Sequence, residues 1–103
     1  MQGLPRRVYD RVHQYAVDIV NASGRDDSRA VAAIFQRLRE YYLRQEANGL
    51  KHPFLPETVG DFAEEPHVRI ALYRHALDLA RRQHRPHETI LLAWARCNSS
   101  WLR

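Results

Sequence analysis

The sequence has few residues that could cross-link the chain or interrupt its helices. Cys97 is the only cysteine, so no internal disulfide can form and no zinc site built from several cysteines can be completed within the chain. Only four glycines and five prolines occur in 103 residues. A composition that is 45% hydrophobic and 27% charged is typical of a globular chain rather than a disordered or fibrous one. We therefore predict a single domain over residues 1–103.

Long hydrophobic runs are also missing. No stretch approaches the roughly 18 consecutive apolar residues of a membrane span. The first residues, MQGLPRRVYD, are not followed by the apolar core of a secretion signal. A single cysteine suits a reducing compartment. These observations predict a cytoplasmic protein with no membrane partner.

No segment shows the strict alternation of apolar and polar residues that is typical of a half-buried strand. Apolar residues instead recur at spacings of three and four, as they do along one face of a helix. The first predicted helix lies between Pro5 and Gly24, a proline near its first turn and a glycine just beyond its last. The second begins at Asp27 or Ser28, either of which can cap it, and ends before Gly49.

Three further helices complete the prediction. A short one lies between Pro56 and Glu65, because prolines on both sides limit its length. Pro66 opens a longer helix that ends in RRQHRP, and Pro86 opens a final helix that is apolar nearly all round for two turns. The predicted fold class is therefore all-α, a helical bundle of antiparallel hairpins with four main helices and one short one.

The segment GDFAEEPHVRIALYRHALDLARRQHRPHETILLAWA, from Gly60 into the final helix, resembles a tetratricopeptide-type helical repeat. In that family a small residue, an aromatic residue and an alanine mark where two antiparallel helices touch, and Tyr73, Ala76 and Leu77 fit the pattern. Arg69 occupies a position where the family has alanine, and the interval from Gly60 to Tyr73 is shorter than usual. Relatives of this kind, small bacterial proteins among them, commonly hold other proteins, so the resemblance implies a binding role.

Three carboxylates form the first candidate site. Glu57, Asp61 and Glu65 recur at intervals of four and would share one face of a continuous helix. Such a group can hold Mg²⁺ or Ca²⁺, or provide an acid and a base. The prolines interrupt the helix, however, and no glycine-rich phosphate loop accompanies the carboxylates. We therefore favour an acidic solvent face near helix starts, where negative charge is favourable.

The second candidate set has the chemistry of zinc ligands, and its members are His75, His84, His87 and Cys97. The sequence has no HExxH motif, and a His-x2-His pair without two further ligands at fixed spacing is a weak signal. Surface histidines and a cysteine packed in the core are the favoured interpretation. We therefore predict that the chain is not an enzyme and needs no metal or cofactor.

Positive charge is concentrated late in the sequence. The net charge is +4, and residues 52–68 contain four acidic side chains without any Lys or Arg, whereas residues 69–85 contain five arginines and one aspartate. Clustered arginines can neutralise phosphates, so a basic helical nucleic-acid-binding domain is the alternative hypothesis. Against it, cations in a last turn also match the helix dipole, and no known nucleic-acid-binding motif is present.

The final predicted helix carries two tryptophans seven residues apart, and Trp and Arg are residue types that dominate interface hot spots. A helix that is apolar all round is either central in the fold or covered by another molecule. We predict a non-catalytic module that binds a protein or peptide, as an adaptor, a chaperone-like binder or an immunity-type antagonist, and the pattern leaves self-association open. The candidate partner-binding residues are Arg74, Arg81, Arg82, Arg85, Trp94 and Trp101.

Overall fold

The computed structural model describes residues 3–83, and every regular element in that range is an α-helix. The helices are α1 (Arg6–Gly24), α2 (Ser28–Ala47), α3 (Phe54–Phe62) and α4 (Pro66–Arg82). α1 packs against α2, and α3 packs against α4. The predicted all-α fold of helical hairpins is confirmed.

The described residues fall into two compact units. We call residues 3–50, with α1 and α2, the first hairpin, and residues 51–83, with α3 and α4, the second hairpin. The prediction that residues 1–103 form a single domain stays a prediction. The predicted final helix, which begins at Pro86, lies outside the described residues. No helix within residues 3–83 has both the length and the apolar character needed to cross a bilayer.

The first hairpin buries the apolar stripe that its periodicity predicts. Tyr15 and Tyr41 join α1 to α2 through tilted rings whose centroids are 6.0 Å apart. The Arg11 guanidinium lies 5.9 Å from the centre of the Tyr41 ring. Full burial of one aliphatic side chain contributes about 1.5–3 kcal/mol, so the apolar stripes supply most of the stabilisation. The buried residues are Val8, Val12, Ile19, Ala22, Leu38, Tyr42 and Leu50.

α1 ends through backbone hydrogen bonds around a left-handed residue. The amide of Asp26 donates to the Ser23 carbonyl, the amide of Asp27 donates to the Ala22 carbonyl, and Asp26 has φ 54°. This is the Schellman arrangement, which usually has glycine at the left-handed position. Gly24, predicted to lie just beyond the helix, is instead its last residue, and Asp26 takes the left-handed position two residues later. Aspartate can replace glycine here because its short polar side chain tolerates this conformation.

α2 ends in the same arrangement, this time on a glycine. Gly49 has φ 95°, its amide donates to the Glu46 carbonyl, and the amide of Leu50 donates to the Gln45 carbonyl. At the other end of the helix, the Asp27 carboxylate accepts a hydrogen bond from the Ala30 amide at 3.1 Å. Both predicted ends of α2 are thus confirmed, and Asp27 rather than Ser28 is the cap.

The second hairpin begins with a helix that starts earlier than predicted. α3 starts at Phe54 rather than near Pro56, and the Phe54 amide donates to His52 Nδ1 at 3.2 Å. Pro56 is tolerated because it falls within the first turn, where a backbone N–H has no acceptor inside the helix. Leu55 and Val59 form the buried side of α3, and Phe62 is half-buried.

α4 follows after three residues and has the predicted bounds, opening at Pro66 and closing at Arg82. Tyr73, Ala76, Leu79 and Ala80 form its buried side. At its end the Gln83 side-chain amide donates to the carbonyl of Lys51, which precedes α3. This bond ties the last turn of α4 to the segment before α3.

Candidate partner-binding face of the second hairpin

Gly60 of α3 lies in close contact with α4. A Cβ atom added to Gly60 would lie 2.8 Å from Cε1 and 3.0 Å from Cδ1 of Tyr73, and 3.4 Å from Cβ of Leu72. Distances below 3.0 Å are not compatible with ordinary carbon contacts, so only glycine fits without movement of the Tyr73 ring. The ring therefore packs directly on the backbone of α3.

The hydroxyl of the same tyrosine is fixed as well. Tyr73 Oη donates a hydrogen bond of 2.5 Å to Asp61 Oδ1, although the ring itself is buried. A bond from a neutral hydroxyl to a carboxylate is charge-assisted and stronger than a bond between neutral groups. Gly60 and Asp61 are neighbours in sequence, so consecutive residues of α3 contact the two ends of one side chain on α4.

Arg69 closes the turn between α3 and α4. Its Nε and Nη2 atoms donate to the carbonyl oxygen of Ala63 at 3.0 and 2.6 Å. Ala63 follows the last residue of α3, where carbonyl groups have no partner inside the helix and the helix dipole is negative. The Arg69 guanidinium donates to a carbonyl at this helix end and also places a positive charge beside the negative end of the dipole. The departure from the tetratricopeptide pattern at Arg69 thus has a structural role in this chain.

The outer side of α4 presents two of the predicted partner-binding arginines. Arg74 and Arg81 are exposed and lie seven residues apart, about 10.5 Å along the helix axis. Within the described residues neither of them forms an ion pair. Arg82 differs, because its Nη2 lies 3.0 Å from Oδ2 of Asp78. Its charge is thus offset locally, although a pair this exposed contributes only about 0–1 kcal/mol to stability.

The other three candidate partner-binding residues, Arg85, Trp94 and Trp101, lie outside the described residues. The structure therefore brings Arg74 and Arg81 onto one side of α4 and pairs Arg82 with a neighbour on the same helix. We call Arg74 and Arg81 the α4 arginine row.

The carboxylate group predicted as an alternative site does not assemble. Asp61 accepts the hydrogen bond from Tyr73, and α3 ends before Glu65. Oε2 of Glu65 instead lies 3.2 Å from Nε2 of His67. The predicted shared face required a helix continuous through Glu65, and that helix is interrupted as the prolines indicated.

Of the histidine set, His84, His87 and Cys97 lie outside the described residues. His75 is half-buried on α4. Among residues 3–83 there is no cluster of three or more His, Cys, Asp or Glu side chains that could hold a metal ion.

Two contacts of this hairpin were not predicted from the sequence. The Asp61–Tyr73 bond joins residues twelve apart, and the Arg69–Ala63 bonds join residues six apart. No helical periodicity relates such positions, because the chain turns between them. The sequence does contain one indication of the Asp61–Tyr73 bond. If Gly60 packs against Tyr73, then Asp61, the next residue, is also close to that side chain.

The chain was compared with protein-family models, with curated proteins and with solved structures, and it matches none of them.

Proposed function

We propose that the chain is a cytoplasmic, non-catalytic module that binds a protein or peptide partner bearing acidic side chains, through the exposed side of α4. One observation carries this proposal: α4 presents Arg74 and Arg81 outward at the spacing of two helical turns, without ion pairs among the described residues. Arginine is suited to this role because its planar guanidinium binds carboxylates through two parallel hydrogen bonds.

The inner side of the same helix supports the proposal. Tyr73 is held on Gly60 and by Asp61, Arg69 holds the turn, and Gln83 bonds to the Lys51 carbonyl after the last residue of α4, so α4 is held at both ends. A surface that is already ordered loses less conformational entropy when a partner binds. The Gly60–Tyr73 contact is also of the kind that the tetratricopeptide resemblance implies, and helical hairpins of that family commonly hold other proteins.

The α4 arginine row can provide only part of the binding free energy, because it contains two arginines. Each exposed arginine–carboxylate contact contributes about 0.2–1 kcal/mol, so two such contacts cannot provide the whole affinity of a stable complex. Their expected role is to select acidic partners and to speed association. Apolar contacts elsewhere on the partner-binding surface would provide the remaining affinity.

A capture experiment tests the proposal. The tagged protein is incubated with native lysate treated with nuclease, and bound proteins are compared for the wild type and the Arg74→Glu/Arg81→Glu variant. We expect a partner that binds the wild type and is lost from this variant, because two attractive charges become repulsive. If the bound proteins are the same for both, the assignment of the α4 arginine row is wrong.

The first hairpin offers a matched control. Arg37 and Arg44 on α2 are also exposed and seven residues apart, with Glu40 between them as Asp78 lies between the arginines of α4. Arg37→Glu/Arg44→Glu makes the same change in net charge on another helix. The proposal requires that this control retain the partner, and circular dichroism checks that both variants keep their helices.

The same variants address the alternative, a nucleic-acid-binding domain. In that case captured nucleic acid would be lost steeply with salt, since each neutralised phosphate contributes a slope of about −0.7 to −0.9 in log K against log salt. Removal of two phosphate contacts would make the slope less steep by about twice this amount. A partner that survives nuclease treatment and moderate salt favours the protein-binding function.

A further inference from the structure

α1 has a second apolar stripe besides its buried one. Tyr9, His13, Val17 and Val20 follow one another at spacings of four, four and three, which places them along one side of the helix. All four are exposed, Val20 most among the three apolar ones at 59%. The rings of Tyr9 and His13 stack, with centroids 5.8 Å apart and planes 10° apart.

This stripe is not required by the hairpin itself. The buried face of α1 is formed by other residues, Val8, Val12 and Ile19 among them. α2 also exposes a large apolar side chain, Leu43 at 50%, but Arg39, Glu40 and Ala47 are its neighbours on the helix. Single exposed apolar residues are common on soluble proteins, whereas a continuous row marks a surface that another molecule covers.

The charges along α1 indicate which molecule that is. Residues 6–13 contain three arginines and one aspartate, and residues 18–27 contain three aspartates and one arginine. Arg6 and Arg7 lie in the first turn, at the positive end of the helix dipole, and Asp26 and Asp27 follow the last turn, at its negative end. Side-chain charge and dipole therefore have the same net sign at each end, with Asp10 and Arg25 offsetting part of the charge. The first hairpin is complementary to itself when a second α1 runs in the opposite direction.

The spacing of the stripe agrees with such a pair. An antiparallel pair centred on the stripe, midway between Tyr9 and Val20, places Arg6 beside the partner's Ser23, about one helical turn from the partner's Asp26. Arg6 lies on the same side of α1 as the stripe, where its Nε is 3.8 Å from Oδ2 of Asp10 in a loose, exposed pair, and Asp26 is exposed. An extended arginine side chain reaches across that distance.

We propose that the stripe Tyr9, His13, Val17 and Val20 is the seam of a symmetric antiparallel dimer, in which the α1 helix of a second copy of this chain covers it. Four side chains from each copy form an interface well below the roughly 1,600 Å² of a stable standard-sized complex. The dimer is therefore weak and depends on concentration and salt. The inference is independent of the α4 arginine row.

Sedimentation velocity of the full chain tests the proposal, at about 10 μM to 1 mM protein and at low and high salt. We expect the sedimentation coefficient to rise with concentration at low salt and to rise less at high salt, because the ends of the helices attract one another electrostatically. A chain that stays monomeric over the whole range at low salt would overturn the proposal.

Two substitutions locate the surface. Val20→Glu puts a charge in the seam and should weaken association at least about tenfold, as expected when an apolar contact of the interface is replaced by a buried charge. Leu43→Glu makes the same kind of change at a similarly exposed position on α2 and should leave association unchanged. Self-association that resists Val20→Glu, or that is weakened equally by Leu43→Glu, would show that another surface is used and would overturn the assignment.

The charge argument has its own test. Arg6→Gln and Asp26→Asn each remove one charge while keeping the size of the side chain, and asparagine tolerates the left-handed conformation at position 26. Each should weaken association about two- to fivefold at low salt and have little effect at high salt. If neither changes association at low salt, the antiparallel orientation is wrong.

Discussion

The first hairpin finishes its helices with backbone hydrogen bonds, whereas the second hairpin joins its helices with side chains. α1 and α2 each end around one left-handed residue, Asp26 or Gly49, and the carbonyls there are satisfied by nearby amides. α3 and α4 are held by Arg69 and Tyr73, which bond to residues in or just after the other helix. The first arrangement depends on local sequence, and the second depends on contacts formed only when the helices meet.

The comparison indicates where substitutions are tolerated. In the first hairpin the ends of the helices constrain the backbone but leave the outer side chains free to vary. In the second hairpin the polar side chains at the contact are part of the packing, so a change at Arg69 or Tyr73 alters the relation between two helices. Five predictions test this difference.

The largest effect is expected from the core of the first hairpin. Leu38 is fully buried, at 0% exposure, and Leu38→Ala should lower the free energy of unfolding by about 2–5 kcal/mol through lost burial and the cavity left behind. Leu43→Ala, an exposed leucine of the same helix, should change it by less than about 0.5 kcal/mol. Urea denaturation followed by circular dichroism measures both. Equal effects would mean that Leu38 is not part of the core.

The close contact of the second hairpin gives the next effect. Gly60→Ala should destabilise by about 1–2 kcal/mol, since strain against the Tyr73 ring exceeds the gain in helix propensity. Gly24→Ala is the control, because a Cβ at Gly24 meets nothing within 4 Å and should stabilise the chain. In a Tyr73→Leu background, which removes the ring, the cost of Gly60→Ala should largely disappear. A cost that persists there would place the strain elsewhere.

Arg69 tests whether a side chain holds the turn of the second hairpin. Arg69→Met keeps most of the apolar stem but loses both hydrogen bonds to Ala63, and we expect a loss of about 1–2 kcal/mol. Arg74→Met, on the exposed side of the same helix, should be nearly neutral. Thermal and urea denaturation compare the two. Similar results for both variants would contradict the capping role of Arg69.

The left-handed residue of the first hairpin should yield a small gain. Asp26→Gly removes the cost of a side chain at φ 54° and should stabilise the chain by about 0.5–1 kcal/mol. Gly49→Ala is the opposite change at φ 95° and should destabilise by a similar or larger amount. Destabilisation by Asp26→Gly would show that the aspartate side chain contributes more than its conformation costs.

Tyr42 predicts an effect that appears only at alkaline pH. Burial, together with the neighbouring Glu46 carboxylate, raises the pKa of Tyr42 above its ordinary value near 10. The unfolded chain then loses this proton before the folded chain does, so stability that is present below pH 10 falls as the pH rises above it. Tyr42→Phe should reduce this alkaline decline by about one proton, roughly 1 kcal/mol at pH 11, in urea titrations at several pH values.

Elements with strong local signals could be predicted from the sequence. The bounds of α2 and α4 agree with the structure because Asp27 caps α2, Gly49 takes the left-handed position after it, and Pro66 is the first residue of α4. The sequence predicts α3 two residues late because Pro56 marks a possible first position, although a proline is equally acceptable elsewhere in a first turn. The sequence points to Gly24 at the end of α1 because glycine is the usual left-handed residue, and an aspartate in that conformation has no distinguishing pattern.

The candidate site was only partly predictable. Arg74 and Arg81 were singled out by residue type, and the structure shows that both are exposed on α4. The spacing of the residues does not by itself select Asp78 as the partner of Arg82, since several side chains are within reach of an arginine on a helix. The Asp61–Tyr73 and Arg69–Ala63 bonds depend on the tertiary arrangement of α3 and α4, which spacing along one helix does not specify.

Asp27 contributes to both helices of the first hairpin, and this fixes the length of the connection between them. Its amide completes the end of α1 and its carboxylate caps the start of α2, so three residues between the helices serve both ends. One added or deleted residue would force the chain to give up one of these bonds. Related sequences are therefore expected to differ freely in the residues around this turn but to keep its length, and insertions should be found elsewhere.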